Sequence, residues 1–164
     1  MPISQIGAKV SGIDYSESLI NVIKQAIPSG DFKVAEANHI PFDNGSFDVV
    51  FSHSVFQYFP SFEYAVKAIS EIARILVIGG NGAILDVNDA QKKELSFEIR
   101  MGKIGKEEYQ KKYDSLPHRF YEKQWFLDTC NNLGLKVTSI EDQNIEGYGN
   151  SQFRFNVYFE KIAD

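Results

Sequence analysis

Short apolar runs alternate with a helical stretch along the first part of the chain. Residues 9–13 and 32–37 are apolar and are bounded by glycine, proline or acidic residues, which is typical of strands. Between them, leucine and isoleucine recur at helical spacing over residues 17–27, and Ser16 stands where it can cap the helix. Residues 47–52 are almost wholly apolar, as in a parallel strand that is covered on both faces.

The alternation of strands and helices continues to the end of the chain. In chain order we predict a helix over 61–77, a glycine-rich turn over 79–82, a strand over 82–87, a polar helix over 91–113, a helix over 122–133, and strands over 135–140 and 153–161. The last two strands have no helix between them, so they can pair antiparallel at one edge. The pattern predicts an α/β fold with a doubly wound, mostly parallel sheet and an antiparallel C-terminal edge.

Composition narrows the classes of protein to consider. The 164 residues predict a single domain, residues 1–164, and the net charge of −5 without a basic block argues against nucleic acid as a partner. No apolar run approaches the roughly 18 residues of a membrane span, and the start shows no leader peptide, so we expect a cytoplasmic protein. The single cysteine, Cys130, excludes an internal disulfide, and the three histidines lack the spacing of a metal site.

Polar side chains follow the predicted strands where those strands end. In an open α/β sheet, ligands bind at the carboxyl ends of the strands. Asp14 ends the first strand and can either accept hydrogen bonds from two ribose hydroxyls or cap the next helix. Glu36 and Ala37 end the second strand, and Ser52 and His53 end the third. His53 is either a general base over the expected pocket or a polar residue of a loop.

Three segments carry a resemblance to a known family: GIDYSESLI at 12–20, IPFDNGSFDVVFS at 40–52, and YEKQWFLDTCNNLGLKVTSIED at 121–142. In this order they resemble class I S-adenosylmethionine (SAM) dependent methyltransferases of the small-molecule type, which have a Rossmann-like fold. The resemblance implies SAM as cofactor, with Asp14 and Tyr15 at its ribose and Glu36 and Ala37 at its adenine. Ser52 and His53 would lie beside its methionine end.

The same resemblance implies where a methyl acceptor binds. Residues 90–120 correspond to the region that varies with the acceptor, and we expect a lid there. Tyr58, His118 and Tyr121 are expected on the acceptor side, although an aromatic set such as Phe56, Tyr58, Phe59 and Phe62 is more often core packing than a substrate cage. The predicted function is methyl transfer to an oxygen, nitrogen or carbon of a small molecule, in which alignment of acceptor and methyl group does most of the catalysis.

One departure from the family is large. The family opens with a strand and a glycine-rich loop, and neither is found here; in the family's strand order that strand lies between 9–13 and 47–51. We therefore expect a truncated methyltransferase domain with weak or absent SAM binding, and a homo-oligomer that compensates for the missing strand. The alternatives are a non-catalytic methyltransferase-like module that assembles with a partner chain, and an NAD(P)-dependent reductase, which would also need a glycine fingerprint at its start.

Overall fold

The computed structural model describes residues 7–105, 107–108, 111 and 118–163, and for residues 103 and 104 only the backbone. The elements are β1 (Ser11–Asp14), α1 (Glu17–Ala26), β2 (Asp31–Val34), β3 (Phe47–His53), α2 (Phe62–Ile75), β4 (Leu76–Asn88), α3 (Lys93–Ile104), α4 (Lys123–Asn132), β5 (Leu135–Asp142) and β6 (Arg154–Lys161). This is the alternation of strands and helices that the apolar pattern predicts, and the α/β fold class is confirmed.

Local sequence explains where α1 begins. The Ser16 side chain accepts a hydrogen bond from the backbone N–H of Leu19, and Glu17 lies in the first turn, where a carboxylate suits the helix dipole. Ile20 is buried, so the apolar stripe of the helix faces the first two strands. This geometry fixes the short connection between the end of β1 and the helix.

The strands form two separate sheets. One contains β1 and β2, which are parallel, and the other has the order β3-β4-β6-β5. In the second sheet β3 and β4 are parallel, whereas β6 runs antiparallel to both β4 and β5. The antiparallel C-terminal edge is therefore confirmed. Among the described residues, β1 and β3 each lack a strand on the side away from their partner, so a gap separates the two sheets.

The main core fills one face of the four-stranded sheet. Helices α2 and α4 cover this face and contribute buried side chains such as Ile69 and Phe126, which pack with Phe155 of β6. Cys130 lies in this core with no exposed surface, and burial raises the pKa of its thiol to about 12. A thiol in this environment stays protonated and unreactive.

The opposite face of β3 is open to solvent. Val50 packs against the core, but its neighbours Val49 and Phe51 point to the other face and are 63% and 57% exposed. Side chains alternate between the two faces of a strand, so this pattern means that only one face of β3 is covered by the described residues. An apolar strand with a free edge and a bare face is a surface on which another segment can pack.

The structure differs from the prediction around the glycine cluster at 79–82. We predicted a turn there, but β4 runs without interruption from Leu76 to Asn88. Between the pairs Phe47↔Leu76 and Val49↔Asn81 the register shifts, and Gly79 within this irregularity has φ +78°. The glycines therefore allow a bulge inside the strand instead of ending it.

The polar helix predicted over 91–113 is interrupted at Gly105 in the structure. Helix α3 ends at Ile104, and Gly105 closes it with φ +82°, a conformation that glycine adopts readily. Residues 107, 108 and 111 are helical again, whereas residues 106, 109–110 and 112–113 of the prediction lie outside the described residues. No helix in the described part of the chain is long and apolar enough to cross a membrane.

Candidate functional site

The carboxyl ends of β1 and β2 bring two acidic side chains to one edge of the small sheet. Asp14 pairs with Val34 across the two strands, and the N–H of Ala35 donates to the Asp14 carbonyl oxygen at 3.0 Å. Glu36 follows directly, so both acids emerge where parallel strands end. A carboxylate at each of two adjacent strand ends can accept hydrogen bonds from hydroxyl and amino groups of one extended ligand.

The two acids are held by different contacts. Asp14 Oδ1 accepts a hydrogen bond from the N–H of Ser16 at 2.8 Å, which orients its carboxylate at the strand end. Glu36 is exposed, and its Oε2 accepts from the Tyr64 hydroxyl of α2 at 3.0 Å. Burial and this contact raise the pKa of Tyr64, so the phenol keeps its proton and remains a donor to Glu36. Tyr15, next to Asp14, is 82% exposed.

A groove lies beside Asp14 on the side of α1. It is lined by Gly12, Ile13, Asp14, Leu19, Ile20, Ile23 and Phe32 and has a volume of about 220 Å³. Its walls are mostly apolar, and Asp14 is the one acidic residue that lines it. The groove therefore offers an apolar surface next to a hydrogen-bond acceptor.

Two contacts of α2 hold the loop that follows β2. Glu71 Oε2 accepts from the N–H of Ile40 at 2.7 Å, and the Arg74 guanidinium donates to the carbonyl oxygens of Ile40 and Phe42, each at 2.8 Å. Arg74 also donates to Glu71 at 2.7 Å, so the two side chains form one unit, which we call the Glu71–Arg74 clasp. The clasp links the loop that carries Glu36 to helix α2, which packs on the four-stranded sheet.

The end of β3 contains a strained corner. Ser52 is half-buried and His53 exposed, and Ser54 has φ +57°, which is unusual for a residue with a side chain. On the neighbouring strand Asp86 has φ +60°, and the Ser54 hydroxyl donates to Asp86 Oδ2. Strained backbone of this kind persists only where surrounding contacts hold it, and it is frequent at functional sites.

The predicted acceptor-side residues separate into two groups. The rings of Tyr58 and His118 meet edge to face with centroids 5.1 Å apart, and Tyr58 is 58% exposed. Burial, with smaller contributions from two nearby arginines, lowers the pKa of His118 below its usual 6.5. Tyr121 instead lies in the aromatic core, and its hydroxyl donates to the Phe56 carbonyl oxygen at 2.9 Å. Its burial gives it a packing role.

A buried polar network that the apolar pattern did not predict lies at the corner formed by Ser54 and Asp86. Asp86 accepts from the Tyr148 hydroxyl at 3.2 Å, and its N–H donates to Asn156 Oδ1 at 3.0 Å. Arg154 is only 4% exposed, donates to Gln57 Oε1 at 3.2 Å, and has its Nε 3.8 Å from Asp86 Oδ1. In the sequence, this network is indicated by Asp86 and Arg154, a charged residue in each of two strands that are otherwise mostly apolar.

The described residues contain no group of three or more histidine, cysteine, aspartate or glutamate side chains that could hold a metal ion. The contacts described above supply hydrogen bonding and charge. The acids at β1 and β2 can bind donors of a ligand, while the corner at β3 and β4 combines hydroxyls, a buried ion pair and an aromatic pair.

Comparison with known proteins assigns the chain to a family. Residues 1–84 match the methyltransferase domain family. The ubiquinone/menaquinone biosynthesis C-methyltransferase of Campylobacter jejuni is 30% identical over 90 residues, which are 51% of this chain and 34% of that protein. The phthiotriol/phenolphthiotriol dimycocerosates methyltransferase of Mycobacterium leprae is 30% identical over 87 residues, 52% of this chain and 31% of that protein.

A solved structure supports the same assignment at the level of the fold. A protein of Methanosarcina mazei described as a SAM-dependent methyltransferase superposes with a TM-score of 0.77 at 15% identity, covering 99% of this chain and 86% of that one. The chain spans about a third of the length of the curated relatives that it matches. With a family match over half of its sequence and the fold of the family throughout, the chain belongs to the SAM-dependent class I methyltransferases.

Proposed function

We propose that this domain binds SAM along the carboxyl ends of β1, β2 and β3 and supports methyl transfer to a small-molecule acceptor. The observation that carries the proposal is the pair of carboxylates, Asp14 and Glu36, at adjacent strand ends in a chain of this family. Asp14 would accept hydrogen bonds from the ribose hydroxyls, and Glu36 would accept one from the adenine amino group. SAM supplies an electrophilic methyl group on a sulfonium.

The remaining predicted site residues would bind SAM and orient the acceptor. Tyr15 and the backbone of Ala37 would flank the ribose and adenine, and Ser52 and His53 would lie at the methionine end. His53 is exposed at the end of β3, where it would accept a proton from the acceptor if the acceptor must lose one. Helix α3, within the expected lid over 90–120, would cover the acceptor side beside Tyr58 and His118.

We further propose that the affinity for SAM depends on a strand that fills the gap between β1 and β3. In support, each of these strands has an unpaired edge in the described part of the chain, and residues of β1 line the groove at Asp14. A strand in the gap would pair with the open edges of both β1 and β3. A glycine-rich loop after that strand would let the backbone approach the cofactor, and this sequence shows no such loop. By itself the chain should bind SAM weakly.

Isothermal titration with SAM tests both statements. The chain is compared with a fusion in which a strand and a glycine-rich loop of the type that opens class I methyltransferases precede Met1. We expect the fusion to bind SAM at least about tenfold more tightly. In the fusion, Asp14→Ala should weaken binding roughly ten- to hundredfold, because hydrogen bonds to a charged group are lost.

The control variant is Asp31→Asn, which also removes a carboxylate from the small sheet but at the start of β2, the end opposite the proposed site. It should bind SAM like the fusion itself. Micromolar binding by the unmodified chain would overturn the dependence on a further strand, and a fusion that ignores Asp14→Ala would overturn the assignment of the ribose site.

A second candidate function is supported by the bare face of β3. The exposed Val49 and Phe51 also fit a non-catalytic methyltransferase-like module that associates with another chain, or with a second copy of itself. The two functions differ in the fusion experiment. A stable assembly that still ignores SAM after the gap is filled favours the module.

A further inference from the structure

We propose that the methyl acceptor carries a carboxylate, or another anionic oxygen group, held by Arg100 of α3 and Arg154 of β6. This proposal rests on the proposed function, because it concerns the acceptor side of the same site. Arg154 pairs with Asn88 at the end of β4, and Arg100 contacts Asn150 shortly before β6. Both arginines lie near His118, whose ring packs on Tyr58.

The charge at this corner is not balanced. Arg154 faces one carboxylate, that of Asp86, while Arg100 is the second cation of the cluster. The neighbouring buried acid, Asp89, lies 3.7 Å from Lys92 Nζ, and Lys92 also pairs at 2.7 Å with Asp142, which binds Lys123 as well. With the three carboxylates Asp86, Asp89 and Asp142 set against the four cations Arg154, Arg100, Lys92 and Lys123, these described groups leave one positive charge in excess.

Hydrogen bonding leaves Arg154 without a full set of partners. Its outer nitrogen donates to the neutral amide of Gln57, but its buried Nε has no hydrogen-bond partner in the structure. Asp86 Oδ1 is 3.8 Å away, too far for a hydrogen bond, and is itself without one. A guanidinium that is this deeply buried normally has its donors satisfied, because an unpaired buried charge is strongly destabilising.

The contacts of Asp86 explain why its carboxylate does not accept a hydrogen bond from Arg154 Nε. Its other oxygen, Oδ2, accepts from the hydroxyls of Ser54 and Tyr148, which hold the carboxylate toward the end of β3. Arg100 likewise donates to a neutral amide, that of Asn150, at 3.3 Å. Both guanidiniums are thus oriented by amides, and neither has a carboxylate within hydrogen-bond distance among the contacts described.

Such a pair of guanidiniums matches a planar carboxylate, which can accept two parallel hydrogen bonds from an arginine. His118 adds no charge to the cluster at neutral pH, because burial and the two arginines lower its pKa. Tyr58, exposed and packed on His118, lies at the entrance of this side of the site. An anionic acceptor would be drawn to the arginines, and its reactive group would extend toward the end of β3.

Thermal unfolding in the absence of SAM tests the proposal with simple probes. Sodium propionate, propionamide and inorganic phosphate are compared at one ionic strength set with sodium chloride. We expect propionate to raise the Tm in a saturable way, by about 3–6 °C at ten times its Kd, while the isosteric propionamide has no effect. A larger shift with phosphate than with propionate would assign the site to a phosphorylated acceptor instead of a carboxylic acid.

Arg100→Gln should abolish the shift, and Lys93→Gln, which removes a charge from the same helix, should leave it unchanged. Because Arg154 is buried, Arg154→Lys is the second variant: it keeps the charge but loses the fork, so the shift should fall at least severalfold. Equal shifts with propionate and propionamide, or a shift that survives Arg100→Gln, would overturn the proposal. Neither result bears on SAM binding, which the titration measures separately.

Discussion

Gly82 lies directly beneath an aromatic ring of the neighbouring strand. It pairs with Phe159 across β4 and β6, and a Cβ at this position would be 2.1 Å from Phe159 Cε2 and 2.5 Å from Cζ. Phe159 is 1% exposed, so its ring cannot move aside into solvent. We expect Gly82→Ala to lower the free energy of unfolding by about 1–3 kcal/mol, as measured by urea denaturation.

The matched control is another glycine-to-alanine change in a regular element. Gly102 lies in α3, and a Cβ there would meet nothing within 4 Å. Gly102→Ala should raise the free energy of unfolding by about 0.5–1 kcal/mol, since alanine restricts the unfolded chain and favours the helix. A neutral Gly82→Ala would mean that the packing of Phe159 on β4 is not as tight as the structure indicates.

At the scale of single residues, the sequence predicts acids at strand ends but not contacts between distant positions. Asp14 and Glu36 could be placed because strand ends are local features of the apolar pattern. The network of Asp86 with Arg154 could not, because its members come from different strands and only the sheet order brings them together. Tyr121 shows the same limit, because its place in the aromatic core depends on Phe56 and Phe62, which lie about sixty residues earlier in the chain.

At the scale of elements, the Glu71–Arg74 clasp makes the attachment of the loop after β2 dependent on pH. Hydrogen bonds from Arg74 and from the N–H of Ile40 hold the pKa of Glu71 below its usual 4.5, against a smaller opposing effect of burial. A lowered folded-state pKa stabilises the protein above the unfolded pKa, and that stabilisation is lost as the pH falls through the folded value.

We therefore expect Glu71→Gln to reduce the free energy of unfolding by about 1–3 kcal/mol near pH 7. The difference from the wild type should shrink progressively as the pH falls below about 4.5 and through the lowered folded-state pKa of Glu71. Urea denaturation across this range measures it, with Glu98→Gln on the exposed side of α3 as the control. A difference that is the same at both ends of the range would show that the carboxylate charge is not what stabilises the loop.

The elements themselves were largely predictable, and the exceptions have a physical reason. Capping at Ser16 and the apolar stripes of the helices are properties of short segments, so α1, α2 and α4 lie close to where the sequence indicates. The glycines at 79–80 are equally typical of a turn and of a bulge. Only pairing with β3, where Val49 meets Asn81, decides that β4 continues through them.

At the scale of the whole molecule, the gap between the two sheets determines how the protein can associate with another chain. The resemblance to the family predicted that the strands at 9–13 and 47–51 lack the strand that normally lies between them. In the structure β1 and β3 do not pair with each other, so both edges stay open among the described residues. Open parallel edges beside an apolar face favour pairing with another chain.

This arrangement predicts self-association that depends on the bare face of β3. In light scattering after size exclusion, at tens of micromolar, the chain should elute as a dimer or larger species and not at 18.6 kDa. Phe51→Lys should shift it toward the monomer, because a charge placed on the apolar face and next to the open edge opposes pairing. Ile162→Lys, at an exposed position just after β6, should leave the assembly unchanged. A monomer at this concentration, or loss of the assembly with Ile162→Lys alone, would show that the open edge of β3 does not recruit a second copy.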